Sequence, residues 1–433
     1  MNLLEVIIWG RLVGVLVWDE TSNSTLFEYS KEFIKDKIEL SPLINPLSTK
    51  IIKSKVDSIY TTTENLEFDT DKGLPLFISD SFPDKFGTEL FAKYLEKEGK
   101  NYRDLTPIEK LAYIGNRGMG AVEFRPTRLN QNSIKILDLK RLNKLSKSIL
   151  NNEPISNVDD MANLFHIGTS PGGAQPKVLL NIDTKNGNIY RGDNIPTNDQ
   201  ESWILKFNKD IGLESDQYRG KIEYAYYLMA KQSKISIMES KLMDIEGEHF
   251  FMTKRFDRKP DEKIHTQTLH AFAGMNFKLP NTYSYEQVFS VLNKVNLDYK
   301  YKEQLFRIMV FNFIGRNVDD HTKNFGFNMG ENGEWRFSPA YDLTFSYNEN
   351  FKLETPHFLS INGKNDNVKL RDILRVANEY SIKKPIKIIN EINQSLLQWN
   401  SIADGLNIPI KIKDYIASKM KTFPYQITAV NKT

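Results

Sequence analysis

Residues 306–315, FRIMVFNFIG, set one arginine and one asparagine among otherwise apolar or small residues. With the preceding YKEQL the run has helical length, and so apolar a helix must be buried. The C-terminal part of the chain therefore has to build a core around it. Yet the next residues, Asn317 to Asn324, read NVDDHTKN: two carboxylates, an imidazole, an ammonium and two carboxamides in eight positions. A solvated loop is the ordinary use of such a stretch. The sharper alternative is an active site held at the end of a core helix.

The chain has 433 residues, more than one ordinary core accommodates, so two or three packed lobes are expected. A hydrophobic content of 40% with 12% aromatic residues excludes wholesale disorder. The net charge of +3 is only mildly basic and does not by itself point to nucleic acid. Cysteine is absent, which removes disulfides, thiolate catalysis and cysteine-ligated metals. The N-terminal MNLLEVIIWGRLVGVLVW is apolar, but Glu5 and Arg11 interrupt it and Gly10 breaks it, so it reads as a strand hairpin. No membrane span and a cytoplasmic location are expected.

Strand-like runs fill residues 1–30, and Pro83-Asp84 announces a helix. GNRGMGAVEF is a glycine-punctuated loop entering a strand, and residues 135–165 have helical spacing. No catalytic constellation stands out up to this point, so a structural or partner-binding lobe is expected. From His166 a glycine loop leads into strands KVLLNI and WILKFN, then one amphipathic helix, then two more strands. Beyond about residue 265 the chain is mostly helical, interrupted by a hairpin in FGFNMGENGEWRFSPAYDL. The expected class is α+β: a two-lobed, protein-kinase-like fold with an N-terminal β-containing subdomain and a mostly helical C-terminal lobe. Its expected divisions are 1–130, 131–260 and 261–433.

Phosphoryl transfer needs a carboxylate to receive a hydroxyl proton and oxygen ligands that hold magnesium on phosphates. Asp319 with Asn324 five residues later has the spacing of a kinase catalytic loop, although a solvated turn with an asparagine cap would show the same letters. Lys323 would add positive charge beside the phosphoryl group, and His321 would touch a phosphate or shape the loop. Asp342, directly after the hairpin, is placed as a second metal ligand. Lys206 lies in the apolar strand WILKFN, where an ammonium is costly unless an anion meets it. A nucleotide phosphate would serve, with Glu223 of the next helix as an ion-pair partner. The glycine loop GTSPGGAQPK fits neither common phosphate-loop pattern, because Ala174 stands where a Walker lysine belongs.

In combination these segments resemble the HipA-type serine/threonine kinases, the toxin half of a bacterial type II toxin–antitoxin pair. DSFPDKFG, GNRGMGAVEF, TSPGGAQPK, WILKFN, FFMTKRFDR, HTQTLHAFAGM, NVDDHTKNFGF and SPAYDL carry the resemblance, in that order along nearly the whole chain. It implies Asp319 as catalytic base, Asn324 and Asp342 as Mg2+ ligands, and Lys206 on the ATP phosphates with His321 near them. Gly173, Gln175 and Lys177 would belong to the ATP-covering loop, and the backbone from Lys254 to Phe256 would receive adenine. Ser170 falls on the family's autophosphorylated serine, with Thr169 as a rival acceptor; a phosphate there should repel ATP and switch the enzyme off.

This sequence departs from the family at Lys254, which replaces a hinge glutamate, at Pro171, and at Asp320, which stands where glycine is common. Asp320 is expected either to repel Asp319 or to face away and pair with a cation such as Arg316. The resemblance also implies growth arrest and persistence, a HipB-like helix-turn-helix antitoxin, operator DNA engaged through it, and a protein substrate such as an aminoacyl-tRNA synthetase. Two rivals stand beside this reading: a small-molecule kinase of the aminoglycoside type, and a catalytically inactive DNA-binding corepressor subunit.

Overall fold

The computed structural model describes residues 2–55, 73–128, 136–151, 153, 158–168, 175–208, 216–346 and 356–422. The N-terminal hairpin forms as expected: β1 (Leu3–Ile8) and β2 (Arg11–Asp19) are joined through Trp9 and Gly10, both at positive φ. That geometry matches the right-handed twist of paired strands, and glycine meets it at least cost. β3 (Ser24–Tyr29), β4 (Ile51–Lys55) and β5 (Val122–Arg125) complete an antiparallel sheet of order β4-β3-β2-β1-β5. Its inner face, with Leu4, Val6, Ile8, Leu16 and Phe27, is buried together with helices α1 (Lys31–Asp36), α2 (Leu76–Ser79) and α4 (Pro107–Ile114).

Helix α3 (Lys85–Lys97) contributes elsewhere. Phe86, Leu90, Phe91 and Leu95 pack with α5 (Leu139–Leu150), α6 (Val158–Gly168) and the second sheet in one hydrophobic cluster. That sheet is antiparallel, of order β7-β6-β8-β10-β9, from β6 (Lys177–Asp183), β7 (Ile189–Arg191), β8 (Gln200–Lys206), β9 (Ser240–Ile245) and β10 (Glu248–Lys254). Across β6 and β8, Lys177 stands directly opposite Lys206. Helix α7 (Arg219–Gln232) lies against β10 so closely that a Cβ on Gly220 would meet the His249 carbonyl at 2.7 Å. This contact sets the depth of Glu223 one turn further on.

The short strands β11 (Arg258–Lys259) and β12 (Glu262–Lys263) lead into the helical lobe. There β13 (His265–Thr268) joins the expected hairpin of β14 (Gly326–Met329) and β15 (Trp335–Phe337) as a third strand. Around it stand α8 (Leu269–Ala273), α9 (Tyr285–Lys294), α10 (Tyr299–Gly315), α11 (Leu370–Glu379), α12 (Pro385–Leu396), α13 (Trp399–Gly405) and α14 (Ile410–Lys419). Every residue of α10 from Leu305 to Gly315 is buried, as its apolar run requires. No helix among the described residues is long and apolar enough to cross a membrane.

The N-terminal domain and the second sheet meet at a buried charge cluster. Asp257 accepts from Arg255, Arg258 and the Gly120 amide, while Arg258 donates to the carbonyls of Gly118 and Gly120. Gly120 sits at φ +75, and a Cβ there would come within 2.7 Å of the Thr266 amide nitrogen. Gly120→Ala is therefore expected to lower unfolding stability by about 2 kcal/mol or more, combining backbone strain with a clash against backbone. Thermal denaturation checks it, and an unchanged Tm would mean that this junction relaxes freely.

Candidate active site

A cleft of about 830 Å3 opens between the second sheet and the helical lobe. Lys206 enters it from the end of β8 with its side chain 7% exposed, its Nζ 2.5 Å from Glu223 Oε1 and paired also with Asp342 Oδ1. Burial alone would push this ammonium down, but the carboxylates of Asp342 and Glu223 hold it above the usual lysine value. Burial likewise works against ionised Asp342, and Lys206 followed by Lys177 more than offsets it, holding that carboxyl well below its usual range. Glu223 goes the other way: burial raises it, and Lys206 only partly compensates. Two carboxylates share one lysine, and Asp342 is the one firmly held as the anion.

Lys177 is buried beside this triad, and burial pushes its ammonium down. It donates no hydrogen bond among the described residues, so two closely spaced cations face the cleft with room for an added anion. Asp342 itself has φ +53, a conformation aspartate tolerates better than most residues and one that marks a constrained site.

The octet after α10 is held rigidly. Arg316 ends the helix in the left-handed region at φ 57. Asn317 then donates to Asn312 Oδ1 at 3.0 Å and to the Asp342 carbonyl at 3.3 Å, tying the loop to the metal-ligand candidate. Asp319 keeps its backbone engaged, since its amide reaches Ser346 Oγ at 3.3 Å and its carbonyl accepts from Asn324 Nδ2 at 2.7 Å. Its carboxylate is 67% exposed into the cleft, with His321 Nε2 at 3.8 Å. Asn324 and His321 line the same cleft.

Asp320 points away from the cleft and is buried. Its carboxylate accepts from Tyr285 Oη at 2.7 Å, the Phe358 amide at 2.7 Å and His357 Nδ1 at 3.2 Å. The expected pairing with Arg316 is not made: that guanidinium lies 3.9 Å from Asp366 instead. Asp320 thus clamps the loop to the segment after residue 355. Asp320→Asn is expected to destabilise the fold by about 2–3 kcal/mol, the scale of lost charge-assisted hydrogen bonds, as read by denaturant unfolding.

Two residues that the sequence left without a role complete the cleft. Asp84 and Asp80, both from the N-terminal domain, line it. Asp84 forms an ion pair with Lys323, so that ammonium reaches the cleft already engaged by a carboxylate of the N-terminal domain. Asp80 accepts from the Thr268 amide at 2.7 Å and its hydroxyl at 2.8 Å. The turn signal at Pro83-Asp84 marked where α3 starts, but nothing local ties that turn to a loop 239 residues away.

At the expected hinge, Lys254 and Phe256 line the cleft, and the Lys254 side chain reaches Glu201 at 2.6 Å. The amides of Lys254 and Arg255 are already taken by the carbonyls of Glu239 and Ser202, so they do not present free donors to a base. Gln175 also lines the cleft and donates to the Phe207 carbonyl at 3.0 Å. Ser170, Thr169 and Gly173 lie outside the described residues.

Comparison with known proteins gives the family and the fold. The HipA N-terminal domain profile matches residues 4–125, and the HipA-like C-terminal domain profile matches residues 169–399. The structure of HipA from Shewanella oneidensis MR-1, determined in complex with HipB and operator DNA, superposes with a TM-score of 0.66 at 16% identity, covering 96% of this chain and 94% of that one. The proinflammatory kinase CtkA of Helicobacter pylori aligns over 51% of this chain at a TM-score of 0.32, too low to bear on the fold. A Haemophilus influenzae protein named as a kinase candidate is 25% identical over 190 residues, which is 41% of this chain and 52% of that relative. The chain thus matches only about half the length of that relative. With one profile spanning more than half of its length and the second accounting for its N-terminal domain, this chain belongs to the HipA family.

Proposed function

We propose that this protein is an ATP- and Mg2+-dependent serine/threonine protein kinase acting as a bacterial toxin. The observation that carries the reading is the joint placement of Lys206, Glu223 and Asp342 with an exposed Asp319 carboxylate in one cleft. Two cations and a held carboxylate suit a triphosphate with its metal, and a free carboxylate beside them suits proton acceptance from a hydroxyl.

The donor set fits magnesium. Asp342 and the side-chain oxygen of Asn324 would offer it oxygen ligands, and a site of one or two protein oxygens plus phosphates and water is how this hard ion is usually held. Asn324 Oδ1 accepts no hydrogen bond among the described residues, because the carboxamide is oriented by its Nδ2 bond to the Asp319 carbonyl. Bound there, the ion would supply positive charge to phosphate oxygens. Asp319 would take the acceptor's proton, and Lys206 would orient the α- and β-phosphates while Glu223 keeps it in place. Gln175, Lys177 and the loop containing Gly173 would cover the phosphates, and the cleft wall from Lys254 to Phe256 would lie against the base, with the Lys254 and Arg255 amides keeping their partners within the protein.

A protein acceptor, autophosphorylation on Ser170, a HipB-like antitoxin with operator DNA, and an aminoacyl-tRNA synthetase as target complete the proposal. The Shewanella neighbour's assembly with HipB and DNA supports the partner class. The test is incubation of the full chain with ATP and MgCl2, followed by peptide mass spectrometry. Phosphate on Ser170, and its absence when magnesium is chelated, is the expected result. No phosphate on this chain or on host proteins would sink the protein-kinase reading, and transfer only to aminoglycoside hydroxyls would replace it with the small-molecule one.

A further inference from the structure

The N-terminal domain reaches the catalytic loop through one turn of chain. Asp80 ends α2 and Asp84 precedes α3, and both side chains cross to the helical lobe. Asp80 binds Thr268, the residue that caps α8, and Asp84 binds Lys323, which lies between Asp319 and Asn324 in the loop. Asp84 occupies the N-cap position of α3, but its carboxylate makes no capping bond to that helix. It is directed to Lys323 instead. The lysine is further confined by its position 4.3 Å over the Phe277 ring, and its carbonyl accepts from Tyr341 Oη at 2.8 Å. Tyr341 adjoins Asp342, so the loop, the candidate metal ligand and the N-terminal domain are linked by a few short contacts.

We infer that Asp84 is a positioning residue for the phosphoryl-transfer site, acting through Lys323 to hold the loop that carries Asp319 and Asn324. The inference rests on the kinase reading for its consequence in turnover, but the mechanical link does not. The pair lies 15% and 18% exposed, dry enough to count for more than a surface ion pair. A lysine released from its partner regains several rotamers, and the backbone it anchors loses a fixed point. A small displacement of reacting groups is enough to slow transfer, whereas nucleotide affinity depends chiefly on Lys206 and the strand residues. The N-terminal domain is on this view part of the active site.

The test is a double-mutant cycle with Asp84→Asn and Lys323→Met, together with Asp84→Glu as the conservative variant and hydrogen exchange of residues 317–325 without nucleotide. Asp84→Asn is expected to lower kcat about tenfold with the KM for MgATP within about threefold, and to exchange the Asn324 amide about tenfold faster. Asp84→Glu should recover part of both. On the Lys323→Met background, Asp84→Asn should add no further loss, an outcome that a general weakening of the fold would not produce. An active Asp84→Asn with wild-type exchange overturns the inference, as does a cycle in which the two losses multiply. A wild type that transfers no phosphate, while Asp84→Asn still loosens the loop, overturns the kinase reading and leaves this link standing.

Discussion

Asp319→Gln is expected to reduce phosphoryl transfer by about 10²–10⁴-fold, the range that a positioned general base contributes, while leaving the fold intact. The two halves of this expectation have separate physical origins. The Asp319 side chain is 67% exposed and its carboxylate makes no hydrogen bond among the described residues, with His321 Nε2 approaching to 3.8 Å. The loop is instead held by backbone groups, namely the Asp319 amide on Ser346 and its carbonyl on Asn324. Removing the charge therefore leaves those bonds in place, and the stability change should stay within about 0.5 kcal/mol, as for other exposed positions. Single-turnover kinetics with ATP and thermal denaturation on the same samples check both halves. A variant as toxic and as fast as wild type would place the chemistry elsewhere.

Lys206→Met is expected to damage folding as well as activity. It leaves a buried Glu223 and an Asp342 side chain 32% exposed to the cleft without their shared cation, and breaking a buried ion pair typically costs about 3–5 kcal/mol. Lys177 remains opposite and softens the loss, so about 3 kcal/mol at neutral pH is the expected figure. The pH dependence follows from the directions of the shifts. In the wild type Asp342 is held below its usual value, so its contribution is present above the ordinary carboxylate pKa and is lost as pH falls through the lower folded one. Lys206 is held above its usual value, so its contribution is full below the ordinary lysine pKa and is lost only as pH rises beyond it.

The Lys206–Asp342 pair therefore stabilises across the neutral range, while Glu223, raised by burial, works against it as pH rises through its folded value. In Lys206→Met both carboxyls lose their cation and are pushed up by burial, so the unfolded chain ionises first. The deficit should then be greatest near pH 8 and shrink toward pH 5.5. Urea unfolding of wild type and variant at those two values decides it; a deficit independent of pH would mean that lost packing, not charge, dominates.

Much of the site was legible because its parts are local. Asp319 and Asn324 are five residues apart in one loop, Lys206 interrupts an apolar strand, and Asp342 follows a hairpin whose turn residues are plain. Even the start of that loop could be placed, since the apolar run of α10 can only be buried and must end where the polar residues begin. Asp320 faces away, as one of the two expectations had it, but its partner was not legible, for an equally physical reason. Its neighbours in sequence offer a repelling carboxylate and a nearby arginine, whereas its actual partners, Tyr285, His357 and Phe358, come from two other segments.

The same contrast holds for the molecule at large. Chain order and hydrophobic period were enough for the hairpin at Trp9-Gly10, the lysine-bearing sheet, the buried α10 and the choice of candidate groups that the fold brings to one cleft, because each is marked within a short stretch of chain. Folding alone decided that α3 joins the second sheet's core, that Asp257 accepts from the Gly120 amide across the domain junction, and that Asp84 holds Lys323. Those arrangements depend on which surfaces meet. Partners so far apart along the chain leave no periodicity or spacing by which to read them.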